Sequence, residues 1–201
     1  FGGCYWIENE LMPADSAVYN GPRQDRNIVM DNILADLNYA VENMGQKNAD
    51  SRTAYNIYVA QAMKARVCLF EGTYAKYHLK DNARAEKYLN EAIKASEAII
   101  KSGQFALTPG AEGYRANYNS IELAGNTEMI MYKRYELGIL GHATQDYCCS
   151  TTPTNGMSKA AFNAYLMADG SLPTGDDKGE MIKTEDDTYM SIQKLLDARD
   201  P

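Results

Sequence analysis

The chain has 201 residues, 45% of them hydrophobic, which is enough for a buried core. Its charged fraction of 23% and aromatic fraction of 10% are globular values and exclude disorder over most of the chain. The net charge of −7 argues against nucleic acid or anionic lipid as main partners, and no stretch reaches the roughly 20 apolar residues of a membrane-spanning helix.

Three amphipathic helices are predicted in the first half of the chain, after an irregular segment over 1–25 that glycines and prolines interrupt. The helices are predicted over about 25–44, 51–79 and 82–102. In each of them, apolar residues recur every three to five positions and form one stripe. Because the connections between them are short, the helices are expected to pack as antiparallel neighbours.

Small residues in the second and third helices predict close helix packing. Alanines recur in the second helix, and the third contains Ala85, Leu89 and Ala92 at the small-large-small spacing of a tetratricopeptide unit. Cys68 lies within the apolar pattern and is predicted to be a small buried hydrophobe. Gly72 is predicted to be a tolerated weak point of the second helix, at roughly 1 kcal/mol relative to alanine.

The helical periodicity breaks after Gly103, and long loops with short elements are predicted to follow. Two of these loops, 104–127 and 138–156, exceed the roughly 12–15 residues that are usual in compact domains, which favours a functional role for them. The other predicted elements are a short strand over 128–135, a modest helix over 154–167, an acidic polar segment over 170–187 and a weak helix over 188–196.

Motifs that carry catalytic or metal chemistry are largely missing from the sequence. It contains no phosphate-binding glycine loop, nucleophile elbow or H-E-x-x-H motif. A His/Cys metal site is not expected, because His78 and His142 lie far apart and Cys148 and Cys149 are adjacent. One enzymatic alternative stays open, in which Cys148 or Cys149 is a nucleophile and nearby His142 its base, although no orienting third group is evident.

Short motifs follow one another along the whole chain in a definite order. They are Phe1-Gly2-Gly3, Arg26 to Ala40, Arg52 with Ala60 to Leu69, Ala92 to Leu107, Asn126-x-Glu128-x-Ile130, Pro153-Thr154 with Tyr165 and Asp169-Gly170, and Arg199-Asp200-Pro201. In this order and spacing they resemble the motifs of the SusD/RagB family. Cys4 and Tyr5 depart from the pattern, since the family usually has Val and Pro there.

The resemblance implies a mainly α fold with tetratricopeptide-like helix pairs, long loops and a short strand. It implies one SusD-like domain over 1–201, incomplete at both ends, with a helical scaffold over 26–103 and a loop-rich binding side over 104–201. SusD-like proteins are lipid-anchored at the outer-membrane surface of Bacteroidetes, and they deliver glycans, or in some relatives peptides, to a SusC-like TonB-dependent transporter. They are not enzymes, and no cofactor is expected; the anchor would lie outside this chain, so Cys4 would not carry it.

A glycan binder needs flat rings against the C–H faces of sugars, and amides or carboxylates for the hydroxyl groups. We expect these groups on the loops rather than on the helical scaffold. The candidate ligand-binding residues are Gln145, Asp146, Tyr147, Cys148, Tyr114, Tyr118 and Trp6. Tyr147 comes first, because its neighbourhood contributes ligand contacts in the proteins that this chain resembles. Asn117 and Asn119 accompany the tyrosines of the first loop.

Purely structural roles are the alternative for these tyrosines. A tyrosine in a long loop can instead pin the loop to the core, and the tyrosines at helical spacing are predicted to lie in the core or an interface; these are Tyr55, Tyr74, Tyr77 and Tyr88. A tetratricopeptide-type adaptor that binds protein or peptide through a concave face is the main functional alternative to glycan capture.

Overall fold

The fold is mainly helical, as predicted, in a computed structural model that describes residues 2–15, 18, 20–45, 52–136, 138–149 and 155–173. The helices are α1 (Arg26–Asn43), α2 (Ile57–Tyr74) with a π-helical turn (Ala75–Leu79), α3 (Asn82–Lys101), α4 (Gly110–Asn119), α5 (Thr144–Cys149) and α6 (Lys159–Asn163). The chain divides into two compact units, Phe1–Arg134 and Tyr135–Pro201. Within the described ranges, none of the helices is both long and apolar enough to cross a bilayer.

Side-chain caps set the residues at which the three long helices begin. The side-chain oxygens of Asp25, Asn56 and Asp81 each accept hydrogen bonds from backbone N–H groups in the first turn of α1, α2 and α3. The predicted bounds of α1 and α3 are therefore confirmed to within one or two residues. The helix predicted over 51–79 begins later, at Ile57, because Asn56 is its cap.

The chain reverses sharply between α2 and α3. The π-helical turn ends at Lys80, whose φ of 58° lies in the left-handed region, and the N–H of Asp81 donates to the carbonyl of Ala75 at 3.0 Å. This reversal lets α3 pack closely on α2, while α1 packs on the other helices through a smaller contact. The short connection between α2 and α3 thus places these two helices together, as the sequence indicated, whereas the connection between α1 and α2 is longer, over 44–56.

Close contact between α2 and α3 depends on small side chains. A Cβ added at Gly72 would lie 2.7 Å from Cγ of Leu89, so the two helices meet at this glycine. The interpretation of Gly72 as a tolerated weak point is therefore wrong, since its missing side chain is what permits the contact. Cys68 is fully buried, as predicted, and this burial raises the pKa of its thiol to about 11.

The four helical tyrosines do not share one environment. Tyr88 is fully buried and belongs to the core cluster with Leu34, Cys68 and Ala92. Tyr55 and Tyr77 are more than half exposed, so they do not lie in the core, and their predicted place in an interface stays a prediction. Their spacing fits a helix, but the faces on which they lie are not covered by a described element.

A charged network ties the three long helices together beneath the surface. The carboxylate of Glu71 is fully buried and accepts hydrogen bonds from Arg26 and, at 2.6 Å, from Nε of Arg84. Arg84 also contacts Asp31, and the hydroxyl of Tyr88 donates to Asp31 at 2.6 Å. Because a buried carboxylate needs compensation, the two arginines make this position tenable.

The segment after α3 departs from the prediction in two ways. The loop predicted over 104–127 contains the ten-residue helix α4, and the strand predicted over 128–135 does not form. A strand needs a partner strand, but the N–H of Tyr132 donates instead to the carbonyl of Arg52 at 2.8 Å. The side chain of Arg52 reaches Met129 as well, so this extended segment is held by the chain that leads into α2.

The second unit contains short elements only, within its described residues. An isolated antiparallel bridge joins Glu136 and Leu140, and α5 interrupts the loop predicted over 138–156. The helix predicted over 154–167 is shorter than expected, because Ser158 caps α6 and the helix ends at Asn163. The weak helix predicted over 188–196 and most of the acidic segment over 170–187 lie outside the described residues.

Candidate functional site

Two predicted ligand-binding residues meet on the surface of α4. The rings of Tyr114 and Tyr118 are separated by 5.2 Å between centroids and inclined at 59°. Residues four apart share one helix face, and the side chains remain 49% and 76% exposed. The two rings therefore offer solvent a contiguous aromatic surface and do not pin this loop to the core.

A hydrogen-bond network holds α4 in place beneath these rings. The carboxylate of Glu128 accepts from the N–H of Thr108 at 3.0 Å, from the Thr108 hydroxyl, and from Nδ2 of Asn117 at 2.9 Å. These donors, the Thr108 hydroxyl above all, lower the pKa of Glu128. Nδ2 of Asn126 completes the network by donating to Oδ1 of Asn117 at 2.6 Å.

The network gives the Asn126-x-Glu128 motif a structural role. The amide oxygen of the Asn126 side chain accepts a hydrogen bond from the backbone N–H of Glu128 at 2.8 Å. This bond closes a turn over residues 126–128. Asn117 is buried inside the network, which removes it from the groups available to a ligand. The sequence paired it with the loop tyrosines, but its hydrogen bonds with Thr108, Asn126 and Glu128 are made in a buried position.

Trp6 lines a cavity of about 420 Å³ between the N-terminal segment and α1. Two hydrogen bonds with Gln24 hold the N-terminal segment. The backbone N–H of Gln24 donates to the carbonyl of Cys4 at 3.1 Å, and the side-chain oxygen of Gln24 accepts from the backbone N–H of Trp6, also at 3.1 Å. The cavity is lined by Trp6, Ile7, Glu8, Asn32, Ala35 and Asp36. Its described lining includes neither Tyr114 nor Tyr118.

Three polar residues of this cavity were not among the predicted site residues. They are Glu8, Asn32 and Asp36. The sequence did contain a signal for two of them, because Asn32 and Asp36 are four apart in a helix and must share a face. No sequence pattern connected this face of α1 with Trp6, since the irregular segment between them has no periodicity.

The first-choice candidates lie on the short helix α5 of the second unit. Asp146, Tyr147 and Cys148 are exposed there, and Gln145 belongs to the same helix. The Sγ of Cys148 lies 3.9 Å from Nδ2 of Asn155. These residues are neighbours through the helix itself, and the structure adds no further candidate to them.

The enzymatic alternative gains no catalytic geometry from the described contacts. Nδ1 of His142 accepts from the N–H of Thr144 at 3.3 Å, and its ring packs edge-on against Tyr135 at 4.6 Å. In the described part of the second unit, no hydrogen bond joins His142 to Cys148 or Cys149. The described residues also contain no group of three His, Cys, Asp or Glu side chains that could hold a metal ion.

An apolar groove of about 800 Å³ runs along α2 and α3. Much of its wall consists of alanine, leucine and isoleucine side chains, among them Leu69, Ile93 and Ile100, which are more than half exposed. The apolar stripes of both helices are thus wider than the face that the helix pair buries. Such a wall offers few partners for sugar hydroxyls, which separates this groove from the polar cavity at Trp6.

Comparison with known proteins assigns no family to the chain. No protein-family model, no curated protein and no solved structure matches it. Its resemblance to the SusD/RagB family therefore rests on the motifs of the sequence alone.

Proposed function

We propose that the protein captures glycans at the cell surface without turning them over and delivers them to a SusC-like TonB-dependent transporter. The resemblance to SusD-like proteins motivates the delivery step, the outer-membrane location and the tetratricopeptide-like description of α1 to α3. It also implies membrane attachment through a lipid anchor outside this chain. Capture itself has support from the surface of α4.

The exposed pair of Tyr114 and Tyr118 is the observation that carries the proposal. Sugar rings present C–H faces that pack on aromatic rings such as these. The partly buried Glu128–Asn117 network holds α4, the helix that carries both rings, before a ligand arrives. Such preorganisation limits the entropy that is lost on binding.

A binding measurement with matched tyrosine variants tests the proposal. The purified protein is screened against host and dietary polysaccharides, and the affinity for a binding oligosaccharide is measured by isothermal titration calorimetry. We expect Tyr118→Ala, combined with Tyr114→Ala, to weaken binding about tenfold, or about 1.4 kcal/mol. Tyr39→Ala is the matched control, because Tyr39 is an exposed tyrosine, at 69%, that lies on α1.

Two results contradict the proposal. One is the absence of binding to any glycan of the panel. The other is cleavage of the bound oligosaccharide, which chromatography of the ligand after incubation detects.

A protein- or peptide-binding adaptor is the second candidate, and the apolar groove favours it. Helical-repeat proteins use extended faces between helices for such partners, and Leu69, Ile93 and Ile100 expose an apolar face of this kind. A SusD-like protein that captures peptides would bind the same class of ligand. Binding to a peptide panel, with no binding to the glycan panel, identifies this second candidate.

A further inference from the structure

We propose that the cavity at Trp6 binds an amino sugar with a free, protonated amino group. The inference rests on the proposed function, because it names a class of glycan and assigns a subsite for one of its rings. Trp6 would provide the apolar surface for the ring, Glu8 and Asp36 the counter-charges for the ammonium group, and Asn32 the hydrogen bonds to a hydroxyl.

The cavity has the size and the composition of a small-molecule site. Its volume of about 420 Å³ lies within the range of 300–1,000 Å³ that is usual for ligand pockets. One wall is the indole of Trp6 with Ile7, and the other is the face of α1 that carries Asn32, Ala35 and Asp36. The small side chain of Ala35 leaves room between the indole and the two polar groups of the helix.

Two carboxylates face this cavity without described counter-charges. Glu8 and Asp36 line it, no Lys or Arg is among its described lining residues, and neither carboxylate has a described ion pair or hydrogen bond. Asp31 on the same helix differs, because it is paired with Arg84 and Lys87. A cationic ligand group would supply the missing counter-charge, and the indole face attracts cations as well.

The remaining groups favour an amino sugar over a lysine side chain or a neutral sugar. The amide of Asn32 both donates and accepts, which suits a sugar hydroxyl and has no counterpart on the aliphatic stem of lysine. A neutral or N-acetylated sugar would leave two carboxylates together in the occupied cavity without a cation. Because both carboxylates are exposed to solvent, the preference comes from their attraction for the ammonium group, which a neutral or N-acetylated sugar does not have.

Titrations with three probes and three variants test the assignment. The probes are a glucosamine oligosaccharide at a pH where its amines are protonated, the fully N-acetylated oligosaccharide of the same length, and a lysine-containing peptide. The variants are Glu8→Gln with Asp36→Asn as a double variant, Trp6→Ala, and Glu42→Gln. Glu42 provides the matched control, because it is an exposed acid on α1 that does not line the cavity.

We expect the glucosamine oligosaccharide to bind at least tenfold more tightly than the N-acetylated one. The double variant and Trp6→Ala should each lose most of that difference, while Glu42→Gln keeps it. Thermal melting followed by circular dichroism verifies that each variant is folded. A difference that shrinks in high salt accords with the charge pairing.

Three outcomes overturn the assignment: equal affinity for the two oligosaccharides, tighter binding of the lysine peptide, or no effect of the double variant. Failure here is distinguishable from failure of the proposed function. If a glycan still binds and Tyr114→Ala with Tyr118→Ala weakens it, only the amino-sugar subsite is wrong. If no glycan binds at all, glycan capture itself is wrong.

Discussion

Glu71 shows how a single buried charge organises the three long helices. Its carboxylate has no exposed surface and is contacted by two arginines, Arg26 from α1 and Arg84 from α3. Sequence periodicity could not identify it, because a glutamate within an amphipathic helix is ordinarily placed on the solvated face. Only the approach of two other helices makes this position buried and its ion pairs possible.

We predict that Glu71→Gln destabilises the protein by about 3–5 kcal/mol, because it leaves two poorly solvated guanidinium groups without their counter-charge. Urea denaturation of the variant and the parent protein measures the change in the free energy of unfolding. Glu97→Gln is the control, since it removes only an exposed pair with Lys101 and should cost less than about 1 kcal/mol. Similar costs for the two variants would contradict a central role for Glu71.

Asp31 gives the same network a dependence on pH. Burial opposes its ionisation, but hydrogen bonds from Tyr88, Lys87 and Arg84 outweigh this and lower its pKa from 3.8 to about 2. A carboxylate with a lowered pKa stabilises the folded state at pH values above its unfolded pKa. That stabilisation is lost progressively as the pH falls from about 4 towards 2.

We therefore predict that Asp31→Asn is less stable than the parent protein near pH 6 and that this difference shrinks between about pH 4 and pH 2. Urea denaturation of both proteins across this pH range provides the two stability curves. Because Asp31 is partly exposed, the contribution should also fall with added salt. A stability difference that stays constant down to pH 2 would disprove the assignment of this pH dependence to Asp31.

At the scale of elements, the three long helices were predicted, and of the shorter ones only α6 was, within the longer helix predicted over 154–167. Apolar periodicity and capping residues are local signals, so α1 and α3 could be assigned within one or two residues of their bounds. The helix α4 was predicted as part of a loop, since its Tyr- and Asn-rich sequence has no apolar stripe. Its stability comes from Glu128, a residue that is distant in sequence.

We predict that Gly72→Ala destabilises the protein by about 1–3 kcal/mol, although alanine is the better helix former. The new methyl group would overlap Leu89, whose Cγ would lie 2.7 Å away, and the backbone nitrogen of Leu89 at 3.1 Å limits any adjustment. Thermal and urea denaturation measure the effect. Gly72→Ala combined with Leu89→Ala should recover part of the lost stability, because the shorter side chain at position 89 makes room for the new methyl group. Unchanged or increased stability of Gly72→Ala alone would contradict the close contact.

At the scale of the whole molecule, two compact units carry separate candidate residues. The first unit contains the aromatic pair on α4 and the cavity at Trp6, and the second contains the exposed residues of α5. Of the residues predicted to bind a ligand, Tyr114 and Tyr118 are in ring contact. Trp6 instead shares its cavity with Glu8, Asn32 and Asp36, a set that no motif suggested.

The sequence by itself determined the mainly helical class, the three long helices, the burial of Cys68 and the aromatic residues from which a binding surface could be built. These properties follow from local periodicity, caps and side-chain chemistry. The tertiary structure decided which groups share a surface or a core: Glu71 with two arginines, Gly72 with Leu89, and Trp6 with two unpaired carboxylates. Glu71 and Arg84 are 13 positions apart along the chain, Gly72 and Leu89 are 17 apart, and Trp6 and Asp36 are 30 apart, and sequence spacing provides no signal for such contacts.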